Sequence, residues 1–128
     1  MIALLDTNAF LRWVEGDDKL STKAKACIAN PDNEILVSVV VAWELAIKSG
    51  QGGIKLALPD GRYVASHIET NGFRLLGIEL DDVAAIETLP PHHRDPFDCL
   101  RVAQAKNRKL PVVSSDRAFS DYGIKRIW

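Results

Sequence analysis

Apolar positions in this chain fall into two kinds of block: short continuous runs, and longer stretches with helical spacing. Ile2-Ala3-Leu4-Leu5 is a continuous run, the pattern of a strand covered on both faces. Residues 34–38, 73–78 and 111–114, and a last short run near 124–127, repeat it. Between them lie helix-compatible segments. Residues 9–14 follow Asp6 and Thr7, either of which can act as a cap. Ser21 or Thr22 can cap a second helix through Ala29, ended by the turn-forming Asn30-Pro31-Asp32-Asn33. A third helix is expected over 39–49, stopped by Gly50-Gln51-Gly52-Gly53. Further helices are expected over 60–70, over 81–86, and from Asp95-Pro96 to about Arg108, with connecting segments at 54–59 and 89–94. Strands alternating with helices predict an α/β domain built on a mostly parallel sheet. No repeat, low-complexity tract or linker interrupts the pattern, so residues 1–128 are expected to form one domain.

Composition narrows the class. The chain is 47% hydrophobic and 26% charged, enough apolar material for one core without staples. No apolar run is long enough to span a membrane, and the N-terminus lacks the pattern of a signal peptide, so a cytoplasmic protein is expected. Cys27 and Cys99 are far apart and form no Cys-x-x-Cys pair, which points to reduced, half-buried thiols. His67, His92 and His93 lack zinc-ligand spacing around either cysteine. A formal net charge of −1 argues mildly against a nucleic-acid binder, although an acidic cluster can mask a basic rim in the sum.

The acidic residues carry the candidate chemistry. In open parallel sheets, ligands bind beyond the carboxyl ends of the strands, near the point where strand order reverses. Asp6 directly follows the first strand and Asp116 lies two residues past the apolar part of the fourth. Either could equally be a helix cap. Glu44 is harder to explain as a surface charge, because three of its neighbours at helical spacing, Val40, Val41 and Ile47, are apolar. Its bland alternative is an ion pair with Lys48 four residues on. Asp95 before Pro96 fits an N-cap, and Asp98 at the third helical position suits the helix dipole. Asp98 also shares a stripe with Val102 and Ala105, which directs it inward. Asp95 is therefore assigned mainly to capping and Asp98 mainly to chemistry. Converging carboxylates repel unless cations neutralise them, and an all-oxygen set suits Mg²⁺ or Mn²⁺. Such a site can activate water and stabilise a phosphodiester under attack. No serine is paired with a histidine in a recognisable pattern, and no Walker-type loop is present.

Four blocks together resemble the PIN-domain family, and within it the VapC-like toxins of bacterial toxin–antitoxin pairs. They are Leu4-Leu5-Asp6-Thr7-Asn8, residues 38–48 with Trp43-Glu44, His93-Arg94-Asp95-Pro96-Phe97-Asp98 opening a helix, and Val113-Ser114-Ser115-Asp116. The resemblance covers nearly the whole chain. It implies a three-layer α/β/α fold with a five-stranded parallel sheet and a Mg²⁺- or Mn²⁺-dependent endoribonuclease. It further implies a homodimer held in check by a cognate VapB-like antitoxin. By motif, Asp6, Glu44, Asp98 and Asp116 take the family's acidic, metal-binding and catalytic positions, with Thr7, Ser115 and the additional Asp95 as supporting groups. His92 and His93, and the cations Lys48, Lys55, Arg62 and Arg94, read more simply as solvated; Trp13, Trp43 and Trp128 read as packing residues.

Two other classes compete. A non-catalytic interaction module would use the same acids as caps and salt bridges. An aspartyl-phosphate phosphotransfer domain would use Asp6 as nucleophile, but the sequence offers no matching lysine and hydroxyl.

Overall fold

In a computed structural model of the chain, residues 1–52, 60–91 and 95–128 are described, positions 60 and 61 by backbone alone. Five strands form one parallel sheet: β1 (Ile2–Leu5), β2 (Glu34–Ser38), β3 (Arg74–Leu76), β4 (Val112–Val113) and β5 (Arg126–Ile127). Their order is β3-β2-β1-β4-β5. β1 is central, pairing Leu4 and Leu5 with Leu36 and Val37 on one side and with Val112 and Val113 on the other. The chain builds outward from β1 in one direction, then returns to build in the other, which leaves a switch point between β1 and β4.

Strand pleating divides the core. Ala3, Leu5, Ile35, Val37, Val113 and Ile127 share one cluster with side chains from α1 (Thr7–Glu15), α2 (Thr22–Ala29), α3 (Val39–Gly50) and α4 (Asp60–Asn71). Leu4, Leu36 and Val112 join a second cluster with Val102 and Ala105 of α6 (Pro96–Arg108) and Phe119 of α7 (Ala118–Asp121). Helices on both faces of a parallel sheet give the expected α/β/α architecture, and α5 (Leu80–Ala85) packs on α6.

The helix ends follow the expected chemistry. Asp6, Ser21, Ser38 and Asp95 each cap a helix by accepting a backbone N–H. α1 ends at Gly16 in the left-handed conformation that favours glycine. Several details differ from the pattern-based reading: β4 and β5 are two-residue strands where 111–114 and 124–127 are expected, and a 3₁₀ turn covers Ile86–Thr88. The third strand is only Arg74–Leu76, because it is an edge strand whose Arg74 and Leu75 lie exposed, with Arg74 paired to Glu34 at 2.6 Å. A further short helix, α7, follows Asp116, where Phe119 and Tyr122 at a spacing of three bury together against the second face. The segment 54–59 lies outside the described residues.

α5 is held to α6 by a carboxylate. Asp82 is 1% exposed, accepts the Glu79 N–H at 2.8 Å in a capping box, and receives Arg108 Nη1 at 2.7 Å and Asn107 Nδ2 at 3.0 Å. Burial pushes its carboxyl up, but Arg108, the Glu79 N–H and Asn107 more than reverse this, so its pKa lies below the ordinary value. A depressed carboxyl stabilises the fold above its unfolded pKa, and that contribution is lost as pH falls through the folded value. Asp82→Asn is therefore expected to cost about 2 kcal/mol at pH 7, the scale of hydrogen bonds to a charged group. Urea unfolding of both proteins at pH 7 and at pH 3 should show the gap closing in acid.

Candidate active site

The carboxyl edge of the sheet is where three strand–helix junctions meet. β1 runs directly into α1, and Asp6 stands at the junction. Its N–H donates to the Val113 carbonyl at 3.2 Å, continuing the β1–β4 ladder by one bond. Its Oδ1 accepts the Ala9 N–H at 2.7 Å. Asp6 is buried, and this burial raises its pKa despite the opposing Ser114 hydroxyl, Ala9 N–H and Arg101 charge.

β2 runs into α3 through Ser38, whose hydroxyl accepts the Val40 N–H at 3.0 Å and donates to Gln104 Oε1 at 2.7 Å. This start places Glu44 on the buried face beside Val40 and Val41. Glu44 Oε1 accepts the Thr7 hydroxyl at 2.6 Å and Arg101 Nη1 at 2.9 Å, while Oε2 accepts Lys48 Nζ at 2.5 Å. Burial pushes Glu44 up, but the bonds from Lys48 and Thr7 and the Arg101 charge overcome it, leaving the carboxyl below its ordinary range. The Lys48 pair is therefore present, and it lies inside the cluster rather than replacing it.

α6 supplies the third group. Asp95 is its N-cap, accepting the Phe97 N–H at 2.8 Å, as expected of Asp before Pro96. Asp98, one turn in, accepts Arg101 Nη2. After β4, the Asp116 N–H donates to the Ser114 hydroxyl at 2.9 Å and Oδ1 accepts the Ala118 N–H at 3.0 Å; Ser115 is exposed.

Asp6, Glu44, Asp98 and Asp116 line one polar cleft of about 170 Å³, and Thr7, Asp95 and Ser115 line it too. The switch point thus gathers every site residue anticipated from the sequence. Arg101 was not anticipated. It is 3% exposed and bonds Thr7, Glu44 and Asp98 together. Burial lowers its pKa, but Asp98 and Glu44 raise it further, so it remains a cation. The available signal was its spacing, three residues past Asp98 on the inward stripe of α6. Gln104 continues that stripe, fully buried, with Nε2 donating to the Gly77 carbonyl at 3.0 Å. Lys48 also lines the cleft, while Arg62 is exposed elsewhere. His92, His93, Arg94 and Lys55 lie outside the described residues. Trp13 and Trp128 pack against the first cluster, whereas Trp43 is 43% exposed and meets only the edge of Phe97 among the described aromatic rings. Both cysteines are free thiols.

The donor set suits a hard divalent cation in kind: every acidic group offers oxygen, and Asp6 is a buried carboxyl with its charge poorly compensated. As the side chains lie, no three acidic, His or Cys groups among the described residues stand close enough to hold an ion. The cleft has the ligands without a formed coordination shell.

A three-layer parallel α/β fold with acids gathered at its switch point defines the class. The family model described as the PIN domain matches residues 3–125, and the chain belongs to that family. No curated protein matches it. Among solved structures, it is similar to VapBC2 from Rickettsia felis bound to a promoter DNA fragment, at TM-score 0.70 and 14% identity, with 100% of each chain covered. It is also similar to VapBC-5 from Mycobacterium tuberculosis, at TM-score 0.59 and 20% identity, covering 98% of this chain and 97% of that one. A toxin–antitoxin complex from Klebsiella pneumoniae aligns at TM-score 0.56 and 18% identity, over 90% and 87% of the two chains. These likenesses establish the shared fold. No helix among the described residues is long and apolar enough to cross a membrane.

Two outcomes follow for the isolated protein. Asp6→Asn keeps the α1 cap and removes a buried charge, so it should raise the melting temperature in EDTA. A raised carboxyl loses stability as pH climbs from its unfolded pKa through its folded one, so the gain should appear above about pH 4 and vanish below it. Glu44→Ala strips the buried Arg101 of one partner and should cost about 3 kcal/mol. Chemical denaturation of Glu44→Ala combined with Arg101→Met should then show much of that loss recovered.

Proposed function

We propose that this chain is a metal-dependent endoribonuclease and the toxin half of a toxin–antitoxin pair. The observation that carries the reading is the single polar cleft collecting Asp6, Glu44, Asp98 and Asp116 at the switch point of a PIN-domain sheet. On this reading Asp6, Asp98 and Asp116 hold Mg²⁺ or Mn²⁺. Three of the roughly four lone-pair positions of Glu44 are already taken by Thr7, Arg101 and Lys48, so its role is to fix those groups and the cleft wall. Bound metal supplies Lewis acidity toward a phosphodiester and a lowered pKa for water. The chain's own part is to hold the RNA phosphate beside the carboxylates. Lys48, whose side chain is 46% exposed, stands at the rim as a cation for that phosphate. Thr7 and Ser115 place hydroxyls beside the acids.

The solved complexes to which the fold is similar are described as toxin–antitoxin assemblies, which supports a protein antitoxin as partner. The proposal includes a homodimer acting in the cytoplasm. Exposed Trp43 and Ile47 on α3, the helix that carries Glu44, give a partner segment an apolar foothold near the cleft.

Purified protein should cut RNA with Mg²⁺ or Mn²⁺ and stop in EDTA. Asp116→Asn should lower the rate by about two orders of magnitude or more, since a ligand is lost from a metal whose charge stabilisation is worth several kcal/mol. Cleavage that survives EDTA and Asp6→Asn sinks the metal mechanism. A non-catalytic module is the second reading, favoured by the structural work of the same acids: Asp6, Asp95 and Asp116 accept backbone N–H groups, and Glu44 and Asp98 pair with Arg101. That reading expects no stabilisation by Mg²⁺ or Mn²⁺ and no cleavage.

A further inference from the structure

We propose that Arg101 is a resident counter-cation of the cleft, competing with a divalent ion for Asp98 and thereby setting how weakly the protein holds metal. The inference rests on the metal-dependent reading above. Its starting point is an oddity of placement. A guanidinium 3% exposed stands between two carboxylates of an acidic cleft, with Nη1 at 2.8 Å from the Thr7 hydroxyl and 2.9 Å from Glu44 Oε1, and Nη2 on Asp98. Its Nε is buried and finds no hydrogen-bond partner among the described residues. An arginine selected only to brace three elements would be expected to use its full fork of donors. Here Nε goes without a partner among the described residues while Nη1 and Nη2 reach both acids.

The electrostatic consequence is direct. Among the described residues, five carboxylates line the cleft (Asp6, Glu44, Asp95, Asp98 and Asp116), against the two cations Lys48 and Arg101. Of these, Lys48 acts on Glu44 from the rim and Arg101 is a cation that reaches Asp98 from within the fold. A divalent ion drawn to Asp98 must take that carboxylate from a fixed positive charge and then sit beside it. The same pairing holds Asp98 toward Arg101 and Glu44, in a cleft where no three acids among the described residues stand close enough for ligation. Arg101 is thus a positioning residue whose removal acts on metal affinity in a direction a brace would not produce. Losing a supporting outer-shell partner weakens metal binding, by roughly 10–100-fold. Losing a competing cation tightens it.

The test is Mn²⁺ binding by calorimetry to the full chain, wild type against Arg101→Met and Arg101→Lys. Arg101→Met should bind Mn²⁺ about tenfold tighter or more, while the charge-retaining Arg101→Lys stays near wild type. Equal or weaker binding by Arg101→Met than by wild type overturns the proposal and leaves the metal reading standing. Failure of the wild type and of both variants to bind Mn²⁺ overturns both together. Should Arg101→Met not fold, wild-type protein carrying ¹⁵N-arginine decides: the Arg101 guanidinium signals should shift as Mg²⁺ is added. Signals unmoved at a Mg²⁺ concentration that already raises the melting temperature overturn the proposal.

Discussion

The buried guanidinium of Arg101 is the constraint around which the carboxyl edge of this molecule is arranged. A charge that has left water is tolerated only when paired with good geometry. The pairing here requires three separate elements: Thr7 at the start of α1, Glu44 in the second turn of α3 and Asp98 in the first turn of α6. Each element is delivered by the sheet. Leu5 pairs with Val37 and with Val113, which sets the heights at which β1, β2 and β4 release their chains. A slip of one residue would turn a strand's inward side chains outward and shift the helix it releases by about 3.3 Å, enough to strand the charge. Register and site are therefore one requirement.

Helix α6 extends the same logic along its length. Asp98, Arg101, Gln104 and Arg108 recur at three, three and four residues, a polar ridge on an otherwise apolar stripe. Arg101 reaches α1 and α3, Gln104 reaches Ser38 and Gly77 at the ends of β2 and β3, and Arg108 reaches Asp82 of α5. The helix that supplies Asp98 to the cleft is thus fixed by directional bonds on one side, while Val102 and Ala105 bury on the second sheet face. Directional bonds hold a carboxylate to a position more tightly than apolar contact alone.

Much of this was readable from residues. The continuous run Ile2–Leu5 announced a strand buried on both faces, and Asp95-Pro96 marked the start of α6. Glu44 stood out because helical spacing set it among Val40, Val41 and Ile47. Capping and chemistry had looked like rival accounts of Asp6 and Asp116, yet the structure puts cap bonds and cleft lining on the same side chains. One oxygen serves the backbone and the residue still faces the cleft, so local sequence could never have separated the two. Strand order was beyond reach because it depends on which crossovers pack, and nothing local to β3 or β4 states its neighbour. α7 was missed because its four residues are too short for helical periodicity to show. Arg101 was missed because an arginine within a helix is ordinarily solvent-facing, and only the convergence of α1 and α3 over it makes it a buried residue.

Net charge leaves the arrangement unread for the same reason. A value of −1 describes the sum and conceals the arrangement. Five acids line one cleft at the carboxyl edge of the sheet, whereas Lys106, Lys109 and Lys125 line a separate cavity with Leu110 and Ile124, next to the starts of β4 and β5. On the proposed ribonuclease reading, a phosphate arriving at the cleft meets five carboxylates, relieved among the described residues by Lys48 at the rim and by Arg101, whose charge is already shared between Glu44 and Asp98. On that same proposed reading, such a cleft favours joint arrival of cation and phosphate over a tightly held resident ion, since phosphate oxygens would complete a shell that the described side chains leave open.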